Sequence, residues 1–206
     1  MDEDSDIIAR AVRFALDDNL GAARLALVSL PVADPIPMPA KGVPISFELI
    51  EGVDPGPTPT NAQRFRIYTR DGWRCRYCRR KLIVPPVLRL LGVIFSDFRG
   101  LRAGHHMKIS EIEPAVNRVY PNVDHLHPQS YGGSHSDGNL VAACTVHNEN
   151  KGNRSDWILL PILKDEWDGL CGEVYELAAL ANDFDDKNWF GVLGLHPGQT
   201  PLPRSI

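Results

Sequence analysis

Two pairs of potential metal ligands constrain the fold of this chain more than any other feature. Cys75 and Cys78 form a C-x-x-C pair, and Cys144 and His147 form a C-x-x-H pair. Two intervening residues let a tight turn direct two side chains at one ion, and three cysteines with one histidine are an established structural zinc set. Residues 79–143 separate the pairs, so a shared zinc site requires the fold to bring them together.

The zinc interpretation leaves alternatives open. Cys144 can instead be a buried strand residue, with Cys75 and Cys78 as an unmetallated pair. His147 is the weakest of the four ligands, and Cys171 is a conceivable replacement for it. In a reducing compartment, however, a C-x-x-C pair indicates metal or redox chemistry rather than a structural disulfide.

We expect that compartment to be the cytoplasm. The chain begins with MDEDSD, which is acidic and unlike a secretory signal peptide. It contains no run of about 18 apolar residues of the kind that spans a membrane. We therefore expect no membrane partner.

The order of helical, proline-rich and charged stretches predicts four segments in the 206 residues. They are an N-terminal helical appendage (1–30), a proline-rich linker or strap (31–62), a core (63–160) with an insertion (79–122), and a C-terminal helical extension (161–206). Apolar spacing predicts helix over 5–29, broken near Asn19, and again over 165–183. Two short strands, over 121–128 and 139–146, precede a further helix, which indicates an α+β fold.

Positive charge is concentrated in one stretch, although the formal net charge is -4. Residues 64–89 contain nine arginines or lysines and a single acid, Asp71. Such a local basic stripe, rather than the mean charge, is the electrostatic footprint of phosphate binding. The candidate contacts to DNA phosphates are Arg74, Arg76, Arg79 and Arg80. Lys151 is a further candidate, for which a solvated helix charge is an equal alternative.

Four motifs together carry a resemblance to a known family. They are CRYC (75–78), DHLHPQSYGG (124–133), NL (139–140) and CTVHNENKG (144–152). In this order they resemble the HNH endonuclease family with a zinc-stabilised ββα-metal fold, over roughly residues 64 to 155. Two departures are His147, where the family usually has cysteine, and the long insertion between the first and second motifs.

The resemblance implies a small ββα-metal core with zinc knuckles, flanked by N- and C-terminal helices. It also implies metal-dependent hydrolysis of phosphodiester bonds in DNA, with structural Zn²⁺ and catalytic Mg²⁺ or Mn²⁺. By the family pattern, Asp124 and Asn148 bind the catalytic cation through oxygen atoms. His125 is the candidate general base, because a neutral imidazole accepts a proton near pH 7. Asn148 stands where many members of the family have a third histidine, which makes this an H-N-N variant. Asn139 would brace the loop and hold His125 in orientation.

Strand geometry keeps a second base candidate open. On a regular strand Asp124 and His125 point to opposite faces, whereas His125 and His127 share one. The assignment of His125 therefore requires the strand to end or twist at that residue, and His127 is the alternative base. We expect His105, His106 and His135 to be surface residues.

Two further interpretations stay open, and the second of them is compatible with the nuclease. The chain can be a zinc-stapled nucleic-acid-binding module without cleavage activity, or a nuclease effector of a defence or toxin system. In the second case, the N-terminal helix or the insertion 79–122 docks a protein partner. The complete set of Asp124, His125, Asn139 and Asn148 favours the enzyme, because a binding module needs only the staple and the basic stripe.

Overall fold

The computed structural model describes residues 3–32, 38–49, 56–98, 101, 112–181 and 186–194. Their helices and strands, in chain order, are α1 (Asp4–Leu16), α2 (Leu20–Val28), α3 (Asn61–Arg70), α4 (Pro85–Ile94), α5 (Pro114–Val119), β1 (Pro121–His125), β2 (Leu140–Cys144), α6 (Thr145–Lys151), α7 (Val174–Leu180) and α8 (Lys187–Phe190). The predicted α+β class is confirmed. Within these ranges, no helix has the length and apolarity needed to cross a membrane.

The two strands and the helix after them form one compact ββα unit. β1 and β2 pair antiparallel, in a register that sets Pro121 opposite Cys144 and His125 opposite Leu140. α6 begins immediately after β2, with Cys144 as its N-cap residue. β1 ends at His125, three residues earlier than predicted. The alternation of side chains between the two faces of the strand therefore stops at His125, as its assignment as the general base requires.

The N-terminal helices share their hydrophobic core with the rest of the described chain. α1 and α2 are separated at Asn19, as predicted, and the Asn19 side chain caps α2 by accepting from the Ala22 N–H at 3.0 Å. The apolar residues of α1, such as Ile8 and Val12, are fully buried in the cluster that includes α4 and β2. This burial gives no support to a protein partner on that face, and the domain boundaries stay a prediction.

A buried carboxylate fixes α1 to the core. The side chain of Asp4 is completely buried and accepts hydrogen bonds from Arg80 at 2.9 Å and from Arg118 at 2.7 and 3.0 Å. Arg118 belongs to α5, and Arg80 lies two residues after Cys78. One acid near the start of the chain therefore ties together three separate parts of the structure.

The helix predicted over 165–183 is shorter than expected. Gly169 and Leu170 have φ angles of 78° and 63°, which belong to the left-handed region and interrupt a right-handed helix. A β-carbon on Gly169 would lie 2.5 Å from the Trp73 ring, so only glycine permits this close approach. Within the described part of this range, which ends at residue 181, the α-helix is Val174–Leu180.

The proline-rich segment runs beside residues 156–158 in its described part. The Ala40 carbonyl accepts from the Ile158 N–H at 2.9 Å, and the Gly42 N–H donates to the Asp156 carbonyl at 2.6 Å. Residues 38–49 contain no helix and no strand, and the bounds of the strap stay a prediction. His105 and His106, and with them part of the insertion 79–122, lie outside the described residues.

Candidate functional site

The four predicted zinc ligands lie together. The ligand atoms of Cys75, Cys78, Cys144 and His147 all lie within 4.8 Å of one another, and they could hold a metal ion such as zinc. His147 Nδ1 is 3.1 Å from Cys144 Sγ and 3.8 Å from Cys75 Sγ. Donors around a tetrahedral zinc ion are about 3.5–3.8 Å apart, given the usual bond lengths, so the set fits this ion. We call these four residues the Cys/His cluster; Cys171 is not part of it.

The electrostatics of the Cys/His cluster also favour a cation. Burial raises the pKa of the Cys75 thiol, but hydrogen bonds from Cys144 and Cys78 and the proximity of His147 outweigh it and bring the pKa well below its usual value. Hydrogen bonds to Cys75 and Cys78, together with burial, raise the pKa of Cys144. Three thiols this close compete for one negative charge, and a bound dication would let all three ionise.

Backbone hydrogen bonds explain how the distant pairs meet. The Cys75 N–H donates to the Arg80 carbonyl at 3.0 Å, and the Arg79 N–H donates to the Cys75 carbonyl at 2.8 Å, which closes a tight knuckle. The Arg76 N–H donates to the Ala142 carbonyl at 2.9 Å and so attaches this knuckle to β2. Cys144 ends the same strand, and His147 follows in the first turn of α6.

Asp124 is buried at the end of β1 and has two side-chain hydrogen-bonding partners, beside a backbone hydrogen bond from His125. Its Oδ2 atom accepts from the Tyr77 hydroxyl at 2.5 Å and lies 3.1 Å from Lys151 Nζ. Burial raises the pKa of the Asp124 carboxyl, while the Lys151 charge and the Tyr77 hydroxyl limit that rise. Lys151 Nζ also donates to the His125 carbonyl at 2.8 Å, so one ammonium group contacts both residues of the D-H pair.

His125 is half-buried, next to a second histidine. Its ring centroid lies 5.1 Å from that of His135. Burial, followed by the charges of His135, Lys151 and Arg64, lowers the pKa of His125 to about 4. The imidazole is therefore neutral at pH 7, which is the form that accepts a proton. Its Nε2 atom is buried and has no hydrogen-bond partner within the described chain.

The loop between the strands is braced by Asn139. The Asn139 Oδ1 atom accepts from the His127 N–H at 2.8 Å, and its Nδ2 donates to the carbonyls of His127 and Ser134 at 3.0 and 2.8 Å. Gly133 lies against the same turn, and a β-carbon there would come within 1.8 Å of the His127 carbonyl oxygen. Asn139 therefore contacts the backbone of His127, two residues after His125, and its role in orienting His125 stays a prediction.

His127 makes contacts different from those of His125. Its ring stacks on Phe47 of the strap, with centroids 4.8 Å apart and an interplanar angle of 18°. Phe47 also contacts Tyr131, at a centroid distance of 5.9 Å. The strap therefore covers the loop that Asn139 braces.

Asn148 lies on α6, one helical turn before Lys151. The side chains at positions i and i+3 of a helix share one face. Because Lys151 reaches Asp124, the face that carries the half-buried Asn148 is turned towards the end of β1. The role of Asn148 as a ligand of the catalytic cation stays a prediction.

Comparison with known proteins identifies this unit. Residues 114–154, which contain β1, the loop, β2 and α6, match the model of the HNH endonuclease family. This match supports the resemblance of the segment to the HNH endonuclease family. No curated protein and no solved structure matches the chain significantly. HNH endonucleases generally hydrolyse nucleic acids with the help of a metal ion, so the domain points to a nuclease-type function on a nucleic acid.

The basic residues around the HNH domain are largely engaged in ion pairs. Arg74 pairs with Asp165. Arg76 pairs with the buried Asp71 at 3.3 Å and donates to the Leu160 carbonyl at 2.9 Å. Arg80 pairs with Asp4, as described above, and Lys151 pairs with Asp124. These contacts give the four residues structural roles, and phosphate binding by them stays a prediction.

Arg79 differs from its neighbours. Its side chain is exposed, and it forms no ion pair with any acid that the structure describes. Its φ angle is 63°, so the knuckle turns sharply at this residue and presents its side chain to solvent. Arg79 is therefore the one of the four candidate arginines without an acidic partner among the described residues, and its contact with phosphate stays a prediction.

Two residues near the site were not predicted from the sequence. Tyr77, in the middle of CRYC, is the hydrogen-bond donor to Asp124. His135, expected on the surface, is half-buried beside His125, with its Nδ1 within 3.1 Å of the Gly56 and Pro57 carbonyls. The tyrosine between two metal-ligand cysteines was a signal that could have been used, whereas nothing in the local pattern marked His135.

Proposed function

We propose that this chain is a metal-dependent endonuclease that hydrolyses phosphodiester bonds in DNA at its HNH domain. One observation carries the proposal. Asp124 and His125 are the last two residues of β1, and Lys151 of α6 contacts both of them, within the segment that matches the HNH family. The family pattern and this juxtaposition support the same assignment.

The residues of the proposed site fit a hard divalent cation. The Asp124 carboxylate and the Asn148 side-chain amide offer oxygen donors, which Mg²⁺ and Mn²⁺ prefer, and such ions retain several waters. A carboxylate has about four lone-pair positions. The hydrogen bonds from Tyr77 and Lys151 therefore leave room at Asp124 for a cation. When bound, the ion would stabilise the negative charge of the leaving 3′-oxygen.

We assign proton transfer to His125. Its neutral imidazole takes a proton from the attacking water, and its low pKa keeps the ring unprotonated before the substrate arrives. Lys151 holds the backbone of His125 through the carbonyl, and Asn139 holds the loop that follows. In this assignment the Cys/His cluster binds Zn²⁺ and has a structural role, since all four of its positions are filled by protein ligands.

A binding module without cleavage activity is the less supported alternative. Such a module depends on free basic residues, and three of the four knuckle arginines pair with acids of the same chain. The set of Asp124, His125, Asn139 and Asn148 would have no role in such a module. This set therefore favours the enzyme; the ion pairs do not, because a nuclease must also contact DNA phosphates.

The test is cleavage of supercoiled plasmid by purified protein. We expect nicked DNA with Mg²⁺ or Mn²⁺, no product after chelation, and recovery when the cation is added back. Asp124→Ala should abolish the activity or require much more metal. A structured RNA in a parallel reaction distinguishes the substrate: preferential cleavage of RNA would contradict DNA as the substrate, and no cleavage of either would favour the binding module.

A further inference from the structure

Tyr77 links the Cys/His cluster to Asp124. It stands between two residues of that cluster, Cys75 and Cys78, and its side chain is buried, with 2% of its surface exposed. Its hydroxyl donates to Asp124 Oδ2 at 2.5 Å. A residue of the knuckle therefore contacts the carboxylate at the end of β1.

The position of the Tyr77 ring is fixed by its surroundings. The ring meets Trp157 edge to face, with centroids 5.3 Å apart, and lies 6.1 Å from the ring of His147. The backbone of the neighbouring Arg76 is hydrogen-bonded to β2. The hydroxyl is therefore located by the same knuckle that carries the thiols, and it has little freedom to move away from Asp124.

Lys151, the second side-chain partner of Asp124, does not fix the orientation of the carboxylate. Lys151 Nζ lies 3.3 Å from Oδ1 and 3.1 Å from Oδ2, so it contacts both oxygens and does not distinguish between them. Tyr77 contacts Oδ2 alone, at a shorter distance. A single short hydrogen bond to one oxygen fixes the rotation of the carboxylate, and with it the lone pairs that remain free.

We infer that Tyr77 is a positioning residue, which holds the Asp124 carboxylate in one orientation for the catalytic divalent cation and couples that site to the Cys/His cluster. This inference rests on the proposed function of Asp124. Hydrogen-bonding partners behind a metal ligand typically contribute about 10–100-fold to metal affinity. Tyr77 thus belongs to both centres, although it binds neither ion.

The test is Tyr77→Phe, which removes the hydroxyl and retains the ring against Trp157. Calorimetric titration of the DNA-free protein with Mn²⁺ should show affinity about 10–100-fold lower. The zinc content of the protein should stay unchanged, and plasmid cleavage should approach the wild-type rate at saturating Mn²⁺. The matched control is Tyr68→Phe, which removes another buried hydroxyl, one that donates to the Pro121 carbonyl at 3.2 Å. This control should bind Mn²⁺ as the wild type does.

Wild-type Mn²⁺ affinity in a folded Tyr77→Phe protein would overturn the inference. If Asp124→Ala also binds Mn²⁺ normally, the proposed metal site itself is wrong, which separates the two failures. Should Tyr77→Phe not fold, ¹³Cζ-tyrosine NMR of the wild type provides a second test. The Tyr77 resonance should shift when Mg²⁺ is added while that of Tyr68 stays in place, and an unchanged Tyr77 resonance would refute the inference.

Discussion

The Cys/His cluster and the Asp124–His125 site are built on the same ββα unit, but they differ in how completely protein atoms surround them. The cluster brings four soft ligands within 4.8 Å of one another, and Cys144 and His147 are fully buried. The second site combines a buried carboxylate with half-buried His125 and Asn148. Structural zinc sites are closed by protein ligands, whereas catalytic sites keep a position open for water or substrate. From this difference in enclosure we expect a structural role for the cluster and a catalytic role for the Asp124–His125 site.

The two regions also differ in how the chain reaches them. β1, β2 and α6 are continuous over residues 121–151, so the Asp124–His125 site is assembled almost locally. The Cys/His cluster needs residues 75–78 to dock on β2 from far along the sequence. We therefore expect damage to the cluster to affect folding, and damage at His125 to affect only the reaction.

The largest effect should follow loss of a cluster ligand. We expect Cys75→Ser, or removal of the metal with a chelator, to abolish cooperative thermal unfolding or lower its midpoint by more than about 10 °C. The reason is that a closed zinc site contributes folding free energy directly, with an apparent binding free energy of about 10–16 kcal/mol in small zinc domains. Differential scanning calorimetry with elemental analysis measures this.

The matched control is Cys171→Ser, which changes a cysteine outside the cluster. It should retain one zinc per chain and its thermal midpoint. Freshly purified wild-type protein that contains no zinc and unfolds normally would remove the structural role of the cluster.

An intermediate effect is expected at the ion pair behind the knuckle. Asp4→Ala leaves Arg80 and Arg118 as buried charges without their carboxylate, and breaking a buried pair in this way typically costs about 3–5 kcal/mol. Urea unfolding followed by tryptophan fluorescence measures the loss. Asp97→Ala is the control, because it breaks the exposed pair with Arg24 and should not change the midpoint measurably. Equal midpoints for the two variants would show that the Asp4 network does not support the knuckle.

The smallest effect is expected at Arg79. Arg79→Ala should leave thermal stability unchanged and weaken DNA binding slightly, since removing one phosphate contact lowers the slope of log K against log salt by about 0.9. Fluorescence anisotropy at several salt concentrations, with catalysis blocked by chelation, gives this slope. An unchanged slope would mean that the exposed Arg79 side chain does not face the phosphates.

The sequence predicted those parts of the site that depend on short spacings. The C-x-x-C and C-x-x-H pairs, the D-H pair at the end of a strand and the helix after β2 are all local patterns, and the structure confirms the cluster and the ββα unit. Gly133 was predictable in the same way, because the tight loop needs a residue without a side chain.

The parts that could not be predicted join residues far apart in the chain. Tyr77 and Asp124 are separated by 47 positions, and Arg118 and Asp4 by 114. No periodicity links such pairs. The sequence alone therefore did not show that arginines of the stripe form ion pairs with distant acids. The prediction of one helix over 165–183 was wrong for a related reason. The packing of Gly169 against Trp73 overrode a favourable apolar pattern.

The most direct test of the whole account is the rate at which His125→Ala nicks supercoiled plasmid in Mn²⁺, measured beside the wild type with equal zinc content and equal thermal midpoints. Loss of a positioned general base typically costs about 10²–10⁴-fold in rate. We therefore expect a decrease of this size with DNA affinity unchanged, and only a mild effect for His127→Ala. Undiminished cleavage by a folded, zinc-loaded His125→Ala protein would contradict the assignment of the catalytic site to the end of β1.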